Sequence, residues 1–204
     1  NNTLHEPDEH AHRLNNAGIE AHPSEILTPL PALQAYVRDH NIRGAHVIAS
    51  EVVKTALALP DGEDALILGL CRNWDYAQLQ RACNLALKDV PVVMCQPDPY
   101  CPDPDGPIPD SGALLALIET TICKKLSPVV LGKPSAALID PILKETGIAP
   151  ERTVFFGDRL KTDMALAANT GMTGALVLTG QTTRRDLDGS EPWLVFDDLT
   201  AISF

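Results

Sequence analysis

The sequence predicts an α/β protein built on a parallel sheet, and three observations carry that expectation. From Arg43 onward, short apolar runs alternate with amphipathic stretches, the pattern of strands separated by helices. The last third runs through a strand, a polar turn, a helix and a second strand, which is a βαβ unit. Apolar residues make up 45% of the 204, enough to bury the core of one ordinary domain or of two small ones.

Taken in order, Pro7 followed by Asp8 and Glu9 suits the first turn of a helix running to about Asn16, with Gly18 as its stop. Ala45–Ala49, Ala65–Gly69, Val90–Met94 and Val129–Leu131 read as strands. Asp75 caps a helix whose Gln78 completes a capping box, and Leu79, Ala82, Cys83, Ala86 and Leu87 fall on one face. The proline-rich stretch from Gln96 to Pro109 reads as a loop over a pocket, without regular structure. Thr153–Phe156 is the next strand, a helix ends near Thr170 with Gly171 as its stop, and Ala175–Leu178 is a strand parallel to it.

A net charge of −11 argues against a nucleic-acid partner, because such proteins gather Lys and Arg on one face. The five cysteines, at 71, 83, 95, 101 and 123, form no C-x-x-C pair and read as reduced thiols in cytoplasm. No apolar run approaches the ~18 residues of a membrane span, so no membrane partner is expected. The chain opens without Met, which leads to the expectation of a truncated protein.

The residues best placed for chemistry come directly after the strand at 153–156. Gly157-Asp158-Arg159-Leu160-Lys161-Thr162-Asp163 puts two carboxylates at the end of a parallel strand, where open α/β sheets bind ligands. Hard oxygen ligands suit Mg²⁺. The spacing alone also fits an aspartate opening a turn and an acid in a helix's first turn. Upstream, Gly132-Lys133-Pro134-Ser135 delivers a lysine at another strand's end, within reach of a phosphate, with Pro134 and Ser135 opening a helix. Taken alone, Lys133 also reads as a surface lysine.

Together, G-K-P-S, G-D-x-x-x-T-D and Leu176-Val177-Leu178-Thr179-Gly180 resemble the haloacid dehalogenase (HAD) superfamily, in its NagD-like, p-nitrophenylphosphatase-type branch. Gly69–Tyr76 is similar to the family's segment before a cap helix. Gln96-Pro97-Asp98 resembles its N-P-D, and Pro109–Ala113 its P-G-x-G-A, with Gln96 and Asp110 as departures. Pro141, inside an expected helix, is another. Asn1-Asn2-Thr3 resembles the residues immediately after the family's second-motif Ser or Thr.

The resemblance implies a Rossmann-like HAD core at 1–41 and 131–204, its sheet incomplete at the N-terminus, with an inserted α/β cap at 42–130. It implies Mg²⁺ at Asp158 with Asp163 as supporting acid, phosphate contacts from Asn1, Asn2 and Lys133, and a catalytic Lys133 that steadies a phosphorylated nucleophile. The substrate class is a small phosphorylated metabolite, cap closure excludes water, and homodimers through the cap are common in the family. The family's nucleophile sits on a D-x-D-G strand ahead of everything present, so the expected enzyme is a phosphatase lacking that segment. The alternative is a phosphometabolite-binding protein without turnover. Loss of a central strand would leave apolar surface on its neighbours and a marginal core, with 42–130 as a protease-resistant fragment.

Three decoys are set aside. Asp103-Pro104-Asp105-Gly106 spells D-x-D-G but comes after no apolar strand. His10 and His12 point to different faces of one helix, so with His5 they make no metal site. Trp74 and Tyr76 are read as packing at a strand-helix junction ahead of stacking on a substrate ring.

Overall fold

The computed structural model describes residues 1–189 and 192–202. Contacts divide them into one unit of residues 1–132 and a second from Lys133 onward, which groups residues 1–41 with 42–132.

In the first unit, α1 (Pro7–Asn16) starts on Pro7 with Asp8 and Glu9 in its first turn, and Gly18 comes after it at φ +81°. Helix α2 (Leu30–Asp39) buries Leu30, Ala32, Leu33 and Val37. Strand β1 (Ala45–Ile48) leads into α3 (Glu51–Leu57), capped by Ser50 Oγ, which accepts from Val53 N–H at 3.3 Å. Then come β2 (Ala65–Leu68) and α4 (Tyr76–Leu87). The expected capping box is present: Asp75 accepts from Gln78 N–H at 2.8 Å, and the Gln78 side chain accepts from Asp75 N–H at 3.0 Å.

Strand β3 (Val92–Met94) begins two residues later than expected, because Pro91 has no N–H to give the ladder. The stretch expected to lack regular structure folds back on itself as β4 (Tyr100–Cys101) against β5 (Ile108–Pro109), antiparallel. A two-residue edge strand tolerates Pro109, and the D-P-D-G decoy lies between the two strands, as a loop. Helix α5 (Ser111–Ile122) and β6 (Val129–Val130) complete the unit. Its parallel sheet has the order β1-β2-β3-β6. Leu66 and Leu68 pack with Leu79, Ala82 and Cys83 of α4 and with Leu114 and Ile118 of α5.

Two expectations fail on α4. Leu87 is exposed, since as the last residue it has no following turn to cover it, and Leu85 is buried instead. Tyr76, at the helix's first position and ahead of the buried stripe, is 81% exposed, and Trp74 is exposed too, so neither packs a junction as the sequence suggested.

In the second unit Ser135 caps a short 3-10 turn, Ala136–Leu138, ahead of α6 (Asp140–Thr146). Pro141 occupies the second position of α6, in the first turn, where a missing N–H costs nothing. Strand β7 (Val154–Gly157) is succeeded by a π-helical turn, Leu160–Met164, and then α7 (Ala165–Thr170), which Gly171 ends at φ +78°. Strand β8 (Thr173–Val177) starts earlier than expected, because Thr173 N–H already donates to Thr153 O at 2.9 Å. With β9 (Leu194–Phe196) it forms a parallel sheet of order β7-β8-β9. The predicted βαβ unit is thus present. Among the described residues no helix is long and apolar enough to cross a membrane.

Candidate active site

Strand β7 ends on Gly157 because the chain must pass close to Asp163. A Cβ at Gly157 would lie 2.2 Å from Asp163 Cβ and 2.4 Å from its Cγ. Asp163 Oδ2 accepts from the N–H groups of Asp158 and Arg159 at 3.1 and 3.0 Å. This side-chain clasp coincides with the widened π turn, in which Asp163 and Met164 N–H groups both reach Arg159 O. Such single-turn π segments recur at functional sites.

The other oxygen, Asp163 Oδ1, lies 2.6 Å from Lys133 Nζ. Their charges pair, but the approach falls outside hydrogen-bond geometry, so this buried oxygen has ion-pair contact and no hydrogen bond among the described residues. Asp163 is 2% exposed, while the Lys133 side chain is 24% exposed and its ammonium sits 6.0 Å from the centre of the Phe155 ring. Breaking a buried charge from its partner is costly, which keeps lysine and aspartate together at the strand end. Asp158 is half-buried, and its Oδ2 accepts from Gln181 N–H at 2.8 Å.

The structure therefore brings together Lys133, Asp158 and Asp163, the three residues singled out at strand ends. Among the described residues no three His, Cys, Asp or Glu side chains converge as a metal cluster. A hard cation that keeps most of its waters needs only one or two carboxylates, and the half-buried Asp158 carboxylate, its Oδ2 fixed by Gln181 N–H, fits that demand, while Asp163 Oδ1 is taken up by the Lys133 ammonium.

Asn1 and Asn2 belong to the first unit and are half-buried. Asn1 Nδ2 donates to Asp98 Oδ2 at 2.9 Å, and Asn2 Oδ1 accepts from Leu4 N–H at 2.9 Å. Thr3 is fully buried and its carbonyl accepts from Ser50 Oγ. Asp98 as the partner of Asn1 was not anticipated; Gln96-Pro97-Asp98 drew notice only as a motif.

Two of the departures from the family pattern, Gln96 and Asp110, bond to each other. Gln96 Nε2 donates to Asp110 Oδ1 at 2.9 Å, Ser111 N–H donates to the same oxygen at 2.6 Å, and Ser111 Oγ donates to Gln96 O at 2.6 Å. Burial pushes the Asp110 carboxyl above its ordinary range, against the pull of the Ser111 N–H. Burial likewise pushes the Cys95 thiol up to about 12, so it is no nucleophile. His5, just ahead of α1, pairs locally with that helix: its Nδ1 lies 2.7 Å from Glu9 Oε1, and its ring meets His10 edge-on at 5.8 Å.

Comparison with known proteins agrees with the motifs. The HAD-hydrolase-like family model matches residues 130–202. A dihydroxyacetone phosphatase of Corynebacterium glutamicum is 29% identical over 187 residues, 88% of this chain and 67% of its own. An acid sugar phosphatase of Staphylococcus haemolyticus is 26% identical over 98% of this chain and 79% of its own. The crystal structure of a 4-nitrophenylphosphatase from Thermotoga maritima superposes with a TM-score of 0.85 at 29% identity, over 98% of this chain and 79% of that one. Fold, strand-end motifs and relatives converge, and the chain belongs to the haloacid dehalogenase superfamily, in its NagD-like, p-nitrophenylphosphatase-type branch of phosphatases.

Proposed function

We propose that these residues serve a Mg²⁺-dependent phosphomonoester hydrolase that acts on a small phosphorylated metabolite through an aspartyl-phosphate. The observation that carries this is the Lys133 ammonium, partly open to solvent, held 2.6 Å from Asp163 in the turn that also presents Asp158. In this reading 1–41 and 131–204 are core, 42–130 is cap, and the protein works in cytoplasm.

Lys133 would hold the non-bridging phosphoryl oxygens, where a fixed positive charge stabilises the developing negative charge. Asp163 keeps that lysine aimed and clasps the Asp158–Arg159 backbone. Asp158, supported by Asp163, would hold Mg²⁺, which supplies charge neutralisation for phosphate when bound. Asn1 and Asn2 are assigned to phosphate on the resemblance, with Asp98 orienting the Asn1 amide.

The attacking carboxylate comes, in this reading, from the D-x-D-G strand that the family places ahead of these motifs. Its oxygen bonds to phosphorus as the ester P–O bond breaks, and the second aspartate gives the departing alcohol oxygen its proton. The same aspartate then takes a proton from water as that water attacks phosphorus, which releases inorganic phosphate and restores the carboxylate.

The test is hydrolysis of p-nitrophenyl phosphate by the protein made from the full reading frame, beside this chain alone. Expected are Mg²⁺-dependent turnover that needs D-x-D-G, its loss in Asp158→Ala, and a fall of about 10²-fold or more in Lys133→Ala. Saturable phosphate binding without turnover by the full-frame protein would replace this reading with a binding protein.

A further inference from the structure

Gly180 stands against the Asp158 carboxylate. A Cβ built on it would lie 2.0 Å from Asp158 Oδ2, 2.5 Å from Cγ and 2.6 Å from Cβ. Rotating the aspartate cannot relieve this, because its Cβ is fixed to the backbone. Either the turn at Gly180 retreats or the end of β7 shifts. The neighbouring residues complete the seat: Gln181 N–H donates to Asp158 Oδ2 at 2.8 Å, and Thr182 N–H donates to Asp158 O at 3.0 Å. Gly180 provides the room, Gln181 fixes the carboxylate's direction, and Thr182 ties down the backbone beneath it.

Oδ2 is thus held from one side, and Oδ1 carries no hydrogen bond among the described residues. We infer that the turn from Gly180 to Thr182 is the positioning element for Asp158, and that a side chain at 180 disables divalent-cation binding without any ligand being removed. The inference rests on the reading of Asp158 as a Mg²⁺ ligand. Gly180 and Gln181 are both exposed, so neither substitution removes a buried side chain.

The experiment titrates MgCl₂ calorimetrically into the full chain and its variants Gly180→Ala, Gln181→Pro and Asp158→Asn, and records the Gln181 amide resonance in metal-free wild type, Gly180→Ala and Asp158→Asn. Gly180→Ala is expected to weaken Mg²⁺ binding about 10- to 100-fold, the range for losing an outer-shell partner. It should also move the Gln181 amide resonance toward its position in Asp158→Asn. Gln181→Pro deletes the donor and sets the ring carbon Cδ where the amide hydrogen pointed at Oδ2, and should weaken binding in the same sense even if Gly180→Ala fails to fold.

Wild-type affinity in a folded Gly180→Ala or Gln181→Pro, with Asp158→Asn impaired, would overturn the inference and leave the phosphatase reading standing. Wild-type affinity in Asp158→Asn would overturn the ligand reading itself, and the metal role of this turn with it. The amide resonance would then still report whether Gly180 seats the carboxylate.

Discussion

Strands β2 and β7 look alike in sequence and differ in the structure. Ala65-Leu66-Ile67-Leu68 and Val154-Phe155-Phe156-Gly157 are both short apolar runs in parallel sheets. All four residues of β2 are fully buried, because the strand lies between β1 and β3 and packs beneath α4 and α5. Strand β7 pairs only with β8 among the described residues, and Val154 and Phe156 are 47% and 37% exposed. A continuous apolar run is the composition of a strand covered on both faces. In β7 the composition exceeds the cover, so an apolar run reports how a strand is made and not how much of it is buried.

The largest effect should separate the two strands directly. Leu66→Ala removes a fully buried side chain and should cost about 2–5 kcal/mol in urea unfolding. Val154→Ala, at a half-exposed edge, should cost under about 1 kcal/mol. Equal losses would mean that the outer face of β7 is covered in solution, and the contrast between the sheets would collapse.

The helix caps sharpen the same contrast on a smaller scale. Asp75→Ala deletes a reciprocal capping box on the twelve-residue α4, and should cost about 0.5–2 kcal/mol. Ser135→Ala removes a single bond, Oγ to Ala137 N–H at 3.3 Å, from a three-residue 3-10 turn, and should cost a few tenths, roughly, by the same urea titration. A larger loss at Ser135 would show that the segment behind Lys133 depends on its cap.

How much could be read from the sequence depends on the range of the forces involved. Capping at Asp75, the stop at Gly171 and the parallel βαβ unit are set by neighbours a few residues apart, and all were legible. Lys133, Asp158 and Asp163 were legible as strand-end residues, and the resemblance implied one site for them, but the direct Lys133–Asp163 contact was not legible, because it joins side chains thirty residues apart. The seat of Asp158 on Gly180 was hidden for the same reason: a glycine in Leu-Thr-Gly looks like a turn, and only its approach to a carboxylate gives it a task. Tyr76 and Leu87 were misread because helical spacing marks a face but not where the cover of that face ends. The β4–β5 pair was missed because the prolines around it hid a register that needs only two residues from each strand.

Each unit also buries a carboxylate in its own way, and this yields the smallest expected effect. Asp163 meets the lysine ammonium, whereas the partners of Asp110 among the described residues are the neutral donors of Gln96 and Ser111. Burial therefore raises the Asp110 pKa above its ordinary 3.8, so the folded state holds this proton more tightly than the unfolded chain does. The stability this contributes is fully present below the unfolded value and is lost as pH rises through the folded one. Asp110→Asn keeps an acceptor oxygen for the helix cap and carries no charge. Its stability relative to wild type should accordingly climb from pH about 4 upward and level off once wild-type Asp110 is ionised. A pH-independent difference would mean that Asp110 is already solvated or paired, and that Gln96 and Asp110 are not the closed neutral-donor pair their geometry describes.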